Sequence, residues 1–519
     1  MQLRIHQGSR WRQAVNASPA LLLWVLLLAM GGTTGRAQAQ GTDAALVNQP
    51  WFEIRSAGFW AYSCGRSQEV FNLVARLEQF RFCYAQLGGT QAVAAPPITV
   101  YAFPNDASYV PFKPLYDGRP ANISGCFMRR PEGIMIALSL SRTDAGTLQT
   151  MYHEYTHFLL RNNQRFWPMW LKEGMADLYS TLAVSGGTVS IGLPSGPRLY
   201  TLAHQELMPL HQLLSVTHES PAYNERDQQG IFYAQSWLLA HYLAVANTPH
   251  HDQFPQYTRL LRTGMGPVPA FTSAFKTSLP AMERELRGYL ARSKFEPATI
   301  RTSTQLAALQ AVITRKLTPG ETAFMLGKLL LQTGRDNDAG RYFEMAKRLQ
   351  PNAPYGYEGL GMLAGERENS RLAVQQLEQA VQLGARNYSV YYQLGHHRLF
   401  RTEGAGGTFQ RLPPEQAQEI RSCLEKSIQM MPSFARSQYF LGFLELIQED
   451  DLAAAERHLQ AAMQLEPDVN GYALTLAQVQ IARQQFTAAR ELLQELTRTA
   501  TDDHHKTRAA ALLAKIAKE

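Results

Sequence analysis

From residue 303 onward the apolar positions recur at helical spacing, in paired segments joined by short polar turns. A longer period overlies them: Leu326-Gly327, Leu360-Gly361 and Leu394-Gly395 stand 34 residues apart. The segment after each pair alternates small and large apolar residues about a turn apart, as in Ala339, Phe343 and Ala346, then Ala373, Leu377 and Ala380. Upstream the pattern is mixed. Ile98–Phe103 and Gly133–Leu138 are continuous, β-prone runs, and Gly125–Met128 is placed to pair with the second as a hairpin. Leu148, Met151, Phe158, Leu159 and Leu160 predict a helix capped by Asp144 and ended by Asn162-Asn163. After a turn at Phe166-Trp167-Pro168, Trp170, Leu171, Met175, Ala176 and Leu178 predict a second helix. A further amphipathic helix is expected from Gln228 to Ala246.

The 34-residue period, with Leu-Gly in one helix and Ala–large–Ala in the next, resembles the tetratricopeptide repeat. Thr402–Pro414 is rich in Gly and Pro and reads as a long loop inside the third repeat. Leu441-Gly442 with Ala455, Leu459 and Ala462 marks a fourth repeat; Leu476-Ala477 with Ala489 and Leu493 marks a degenerate fifth, before a capping helix. The organisation expected is a leader over 1–39, an α+β lobe over 40–180, a mostly helical lobe over 181–302 and an all-α repeat solenoid over 303–519. Solenoids of this kind present a concave surface, so a protein partner is expected there.

The upstream half carries the chemistry. His153-Glu154-Tyr155-Thr156-His157 puts two imidazoles four residues apart, on one face of a helix. Two neutral ring nitrogens at that spacing can share a Zn²⁺ ion while Glu154 stands beside them as a base. A catalytic zinc needs a third protein ligand, and Glu173 on the next helix is the candidate.

H-E-x-x-H followed by E-x-x-x-D, here Glu173 to Asp177, is similar to the gluzincins, the thermolysin-like branch of zinc peptidases. Pro-x-Trp-Leu-x-Glu-Gly at 168–174 and Phe-Tyr-Ala-Gln-Ser-Trp at 232–237 more closely resemble a bacterial peptidase-MA-like group, over roughly residues 50–290. The resemblance implies a mixed sheet with a helical lobe, His153, His157 and Glu173 as zinc ligands, and Asp177 supporting a ligating histidine. It also implies Glu154 as general base and Tyr233 as a donor to the oxyanion. The third histidine of the metzincins is missing, since Leu160 and Asn163 occupy the relevant places. The aminopeptidase Gly-x-Met-Glu-Asn motif is absent too, which favours endopeptidase over exopeptidase action. His204, His211 and His218 read as surface or helix residues. The function expected is a secreted zinc metallopeptidase acting on a peptide or protein substrate; the alternative is a non-catalytic peptide- or protein-binding scaffold that retains zinc. The intact Glu154 favours hydrolysis, because a structural site has no need of a base.

Arg4, Arg10 and Arg12, the apolar run Ala20–Met30 and Ala37-Gln38-Ala39 read as a secretory leader cleaved after Ala39, which places the mature chain in the periplasm or outside the cell. The apolar run falls short of the about 20 residues of a membrane-spanning helix, so no stable membrane anchor is expected. Removing the leader's four arginines lowers the net charge from +7 to +3, and there are no basic blocks, so nucleic acid is not an expected partner. The four cysteines lack C-x-x-C spacing. Cys64 could pair with Cys83 or Cys126, and Cys423 reads as a buried thiol.

Overall fold

The computed structural model describes residues 3–4, 45–88, 96–130, 133–142, 145–164, 166–224, 226–246, 248–301, 313–402, 408–500 and 502–517. The leader's apolar run, its cleavage site and the cap expected at Asp144 lie outside them. By contacts the chain forms two compact units that are not consecutive in sequence: 1–74 with 93–142 and 311–519, and 75–92 with 143–310. The stretch 40–180 is thus shared between the two.

The first unit is built on a six-stranded mixed sheet. Its strands are β1 (Phe52–Arg55), β2 (Phe59–Ser63), β3 (Ile98–Phe103), β4 (Gly125–Arg130), β5 (Gly133–Ser139) and, far downstream, β9 (Ile313–Lys316), in the order β9-β1-β2-β3-β5-β4. The pairs β2/β3 and β3/β5 are parallel and the others antiparallel. Val100, Tyr101, Ala102, Phe103, Ile136, Ala137 and Leu138 are fully buried, which is why these runs show no polar alternation. The hairpin expected between Gly125–Met128 and Gly133–Leu138 forms. Its second strand is interior, however, and β4 forms one edge of the sheet, with β9 at the other.

The repeats begin at Pro319 rather than 303, because Ile313–Lys316 pairs with β1 instead of joining a helix. Five helix pairs follow, with a final helix: α7 (Pro319–Gln332) and α8 (Asp336–Leu349), α9 (Tyr355–Glu366) and α10 (Ser370–Gln382), α11 (Tyr388–Phe400) and α12 (Pro414–Met430), α13 (Ala435–Gln448) and α14 (Leu452–Leu465), α15 (Asn470–Ala482) and α16 (Phe486–Thr499), then α17 (Asp503–Ile516). The recurring glycines are contact points. A methyl group on Gly327 would come within 2.5 Å of the Phe343 ring, and one on Gly361 within 2.7 Å of Leu377.

Sheet and first repeat share one core. Trp51, Tyr101, Phe103, Tyr109 and Phe112 cluster with Phe324, Leu326, Leu330, Tyr342 and Phe343. A polar seam reinforces this core. Arg315 bridges Glu53 Oε2 at 2.8 Å and Glu321 Oε1 at 2.7 Å, while Glu321 also closes a capping box with Thr318 at the start of α7.

The second unit contains most of α1 (Ser67–Gly88), then α2 (Ala145–Gln164), α3 (Met169–Ser180), α4 (Gly196–His204), α5 (Arg226–Ala244) and α6 (Leu279–Arg292), with shorter helices between α4 and α6. Helix α2 runs past the expected stop at Asn162-Asn163 to Gln164. The segment expected to be mostly helical also holds a three-stranded sheet of order β8-β7-β6, from β6 (Ala183–Ser185), β7 (Thr188–Ile191) and β8 (Ala298–Arg301). Gly186 and Gly187 turn the first hairpin at φ 56° and 74°, values that suit glycine. Cys64, Cys83, Cys126 and Cys423 are free thiols. No helix among the described residues is long and apolar enough to cross a membrane.

A chain ending at residue 302 should lose the six-stranded sheet, because it lacks β9 and the first repeat's half of the core. Hydrogen exchange at 98–103 and 133–139 reads this: protection equal to that of the full chain would show that the sheet stands alone.

Candidate metal site

Helix α2 presents His153, Glu154 and His157, and α3 presents Glu173 and Asp177, all in the second unit. Pro168 caps α3 in extended geometry at φ −67° and ψ 159°, so the turn ahead of it leads straight into the helix. Helix α3 is buried nearly all round, and it packs on α5 with little clearance. A methyl group on Gly174 would stand 2.4 Å from the Ser236 carbonyl oxygen and 2.8 Å from Ala240 Cβ. Trp170 and Trp237, both fully buried, fill the same layer. The Trp-Leu-x-Glu-Gly and Gln-Ser-Trp runs are therefore two sides of one helix crossing, and that crossing sets the place of Glu173.

The three expected ligands converge. His153 Nε2 and His157 Nε2 are 3.1 Å apart, and Glu173 Oε2 lies 3.2 Å from each. Bonds of 2.0–2.1 Å to a tetrahedral zinc put its ligand atoms about 3.3 Å apart. The residues thus fit the ion by type and by spacing, and they are the one such group of three among the described residues. The side chains of His153 and His157 are partly exposed and that of Glu173 is buried.

Asp177 Oδ1 accepts from His153 Nδ1 at 2.8 Å, which turns Nε2 towards Glu173 and His157. Arg198 on α4 is a contributor the motif does not contain. Its Nε donates to Asp177 Oδ2 at 2.7 Å and a terminal nitrogen donates to Oδ1 at 3.2 Å. The Arg198 guanidinium also lies 5.1 Å from the centre of the Tyr233 ring. Tyr233 on α5 is buried beside Tyr223. Burial, then the charge of Glu173, pushes its pKa far up, so its hydroxyl stays protonated and able to donate. Glu154 is half-buried on the same turn of α2 as His153.

Within the cluster the charges of the members act against the effect of burial. Burial disfavours a charge on His153, but hydrogen bonds to Asp177 and Glu173, with their charges, outweigh it and push its pKa up to about 10. Burial likewise opposes ionisation of Glu173, and the neighbouring His157 and His153 reverse this and hold its carboxyl well below the usual range. A metal ion entering here displaces a proton. Of the other histidines, His204 and His211 are exposed. His218 is exposed in a turn, edge-on to Tyr223 at 5.3 Å; partial desolvation and then Lys172 lower its pKa, against the pull of Glu173.

The tetratricopeptide repeat family matches residues 446–516, the last repeats. The C-terminal region is a tetratricopeptide-like helical solenoid preceded by a mixed-sheet region. No curated protein matches the chain. Among solved structures, YrrB, described as a TPR protein with an unusual peptide-binding site, is 17% identical, with 37% of this chain and 91% of that one aligned and a TM-score of 0.30. PilF of Pseudomonas aeruginosa is 18% identical over 38% of this chain and 84% of that one, at 0.32. MamA of Desulfovibrio magneticus RS-1 is 19% identical over 35% and 97%, at 0.29.

Replacing Gly174 by Val forces α3 and α5 apart and should cost about 1–3 kcal/mol. Calorimetry should show a lowered midpoint for the second unit; an unchanged midpoint would mean that the crossing yields freely.

Proposed function

We propose that the chain is a zinc-dependent metallopeptidase, secreted or periplasmic after cleavage behind Ala39, whose repeats recruit a protein partner or substrate. The observation that carries this reading is the convergence of His153, His157 and Glu173 within 3.2 Å, with Glu154 on the same helix. A zinc ion bound there would supply Lewis acidity, polarising a scissile carbonyl and acidifying water. Glu154 takes a proton from water and returns it to the leaving amine. The Tyr233 hydroxyl donates to the oxygen on which negative charge develops. Asp177 keeps His153 in the tautomer with Nε2 free, and Arg198 keeps Asp177 ionised and oriented. Resemblance to the gluzincins supports peptide hydrolysis over other hydrolytic chemistry.

The family match to the repeats favours a second reading, a protein-binding scaffold that retains the metal site without turnover. The two readings diverge at Glu154, which hydrolysis needs and metal binding does not. Mature protein loaded with zinc is incubated with a diverse peptide mixture beside Glu154→Gln, and new termini are read by mass spectrometry. Cuts made by the parent protein alone support the peptidase. Absence of cuts at one zinc per chain supports the scaffold.

Metal affinity provides a separate check. Glu173→Ala should abolish stoichiometric zinc binding, and Asp177→Asn should weaken it about 10–100-fold. Glu154→Gln should leave it intact. Full zinc occupancy in Glu173→Ala would place the third ligand elsewhere.

A further inference from the structure

Helix α3 carries a cation that the proposed chemistry does not use. Ten of its twelve residues are buried, and the two that are not, Lys172 and Met175, stand three apart and share one face. Glu173 follows Lys172, about 100° further round the helix. Lys172 is half-buried, yet no described residue forms an ion pair or a hydrogen bond with its ammonium. Burial is the main influence on its charge, and Glu173 supplies the one charge that favours it. Glu173 is already matched, with an imidazole nitrogen of His153 and one of His157 each at 3.2 Å. Lys172 is therefore surplus to the cluster: a cation drawn partly out of water, at a cost in free energy, with no anion of its own.

A second basic residue stands beside it. His218 is exposed, in a turn closed by the Ser220 N–H on the Thr217 carbonyl at 3.1 Å and the Thr217 N–H on Ser220 Oγ at 2.9 Å. The charges of Lys172 and Glu173 both act on His218, so this turn lies next to α3 at the metal cluster. From His218 the aromatic residues lead inward. Its ring is edge-on to Tyr223 at 5.3 Å, and the Tyr223 ring is 6.3 Å from that of Tyr233. Tyr223 and Tyr233 are both buried. Lys172 and His218 thus form the solvent-facing end of a row whose inner end is the hydroxyl assigned to the developing oxyanion.

The geometry points to Lys172 as a specificity residue, whose ammonium, with His218 beside it, receives a carboxylate of the bound peptide. That the ligand is a peptide rests on the reading of the site as a peptidase. A carboxylate forms a charge-assisted bond with the ammonium and offsets the cost of holding it there unpaired; an amide in the same place does so only weakly. The carboxylate comes from an acidic side chain or from the peptide's C-terminus, and both present the same chemistry.

Peptide binding to the full chain carrying Glu154→Gln and loaded with zinc tests this without turnover. The probes are short end-blocked peptides identical but for a central Glu, Gln or Lys, together with the Gln peptide bearing a free C-terminal carboxylate. Calorimetry should find the Glu peptide or the free-carboxylate peptide bound about tenfold tighter than the blocked Gln peptide. The first result identifies a side-chain subsite, the second a chain-terminal one. On the same background Lys172→Met should abolish the difference while zinc stays at one per chain. Lys172→Arg should keep it, and Lys172→Glu should transfer the preference to the Lys peptide. Equal affinity for the Glu, Gln and free-carboxylate peptides would overturn the subsite, as would a preference that survives Lys172→Met. A carboxylate preference without any cleavage by the parent protein would sink the hydrolytic reading and leave the subsite standing.

Discussion

The architecture depends on helices approaching closer than a side chain allows. At Gly174 the neighbouring carbonyl oxygen of Ser236 leaves no room for a methyl group, and the next residue back is Glu173. Moving α3 outward to fit a larger residue would carry Glu173 away from His153 and His157, which are fixed on a different helix. The repeats use the same device for another end. Gly327 and Gly361 accept Phe343 and Leu377 against bare backbone, which lets paired helices lock at one angle and repeat it. Close packing of this kind tolerates little adjustment. In one unit it positions a buried carboxylate; in the other it sets the geometry of a surface.

The buried polar cluster is intelligible as a chain of charges in which each member needs the next. Glu173 and Asp177 are 4% and 5% exposed, an arrangement that is costly unless each negative charge is matched. Arg198 serves Asp177, Asp177 serves His153, and His153 with His157 serves Glu173. The groups of the last link stand about 3 Å apart. No purely packing role explains why two carboxylates and two imidazoles should be brought out of water together.

Periodicity made the repeats legible because each is stabilised by near neighbours, so its rule is written within 34 residues. The polar cluster of the second unit was legible for a similar reason: His153 and His157 share a helix face, and Glu173 and Asp177 share the next. Relations that depend on distant segments left no local trace. Ile313–Lys316 has the composition of many connecting stretches, and its strand character comes from pairing with β1 some 260 residues earlier. Ala183–Ser185 and Thr188–Ile191 are too short to show an alternation, and their partner β8 lies beyond residue 297. Arg198 gave no signal because an arginine at a helix start is ordinary until a buried carboxylate is found opposite.

The placement of β9 explains why sheet and repeats form one unit. A solenoid has two ends that expose the apolar faces its interior repeats cover for one another, and each end needs a cap. At the C-terminus α17 serves, with Asp502 capping its first turn and Ala509 and Ile516 buried against α15 and α16. At the N-terminus no extra helix among the described residues precedes α7. The sheet takes that place with Tyr101 and Phe103, joined by Tyr109 and Phe112 from the short helical turns after β3, and the chain passes through the sheet as β9 before entering α7. Two surfaces that could not stand exposed thereby cover each other. The sheet is fixed in register with the first repeat by backbone pairing as well as by packing. Arg129 on β4 adds a charged contact to Asp468, in the turn after α14.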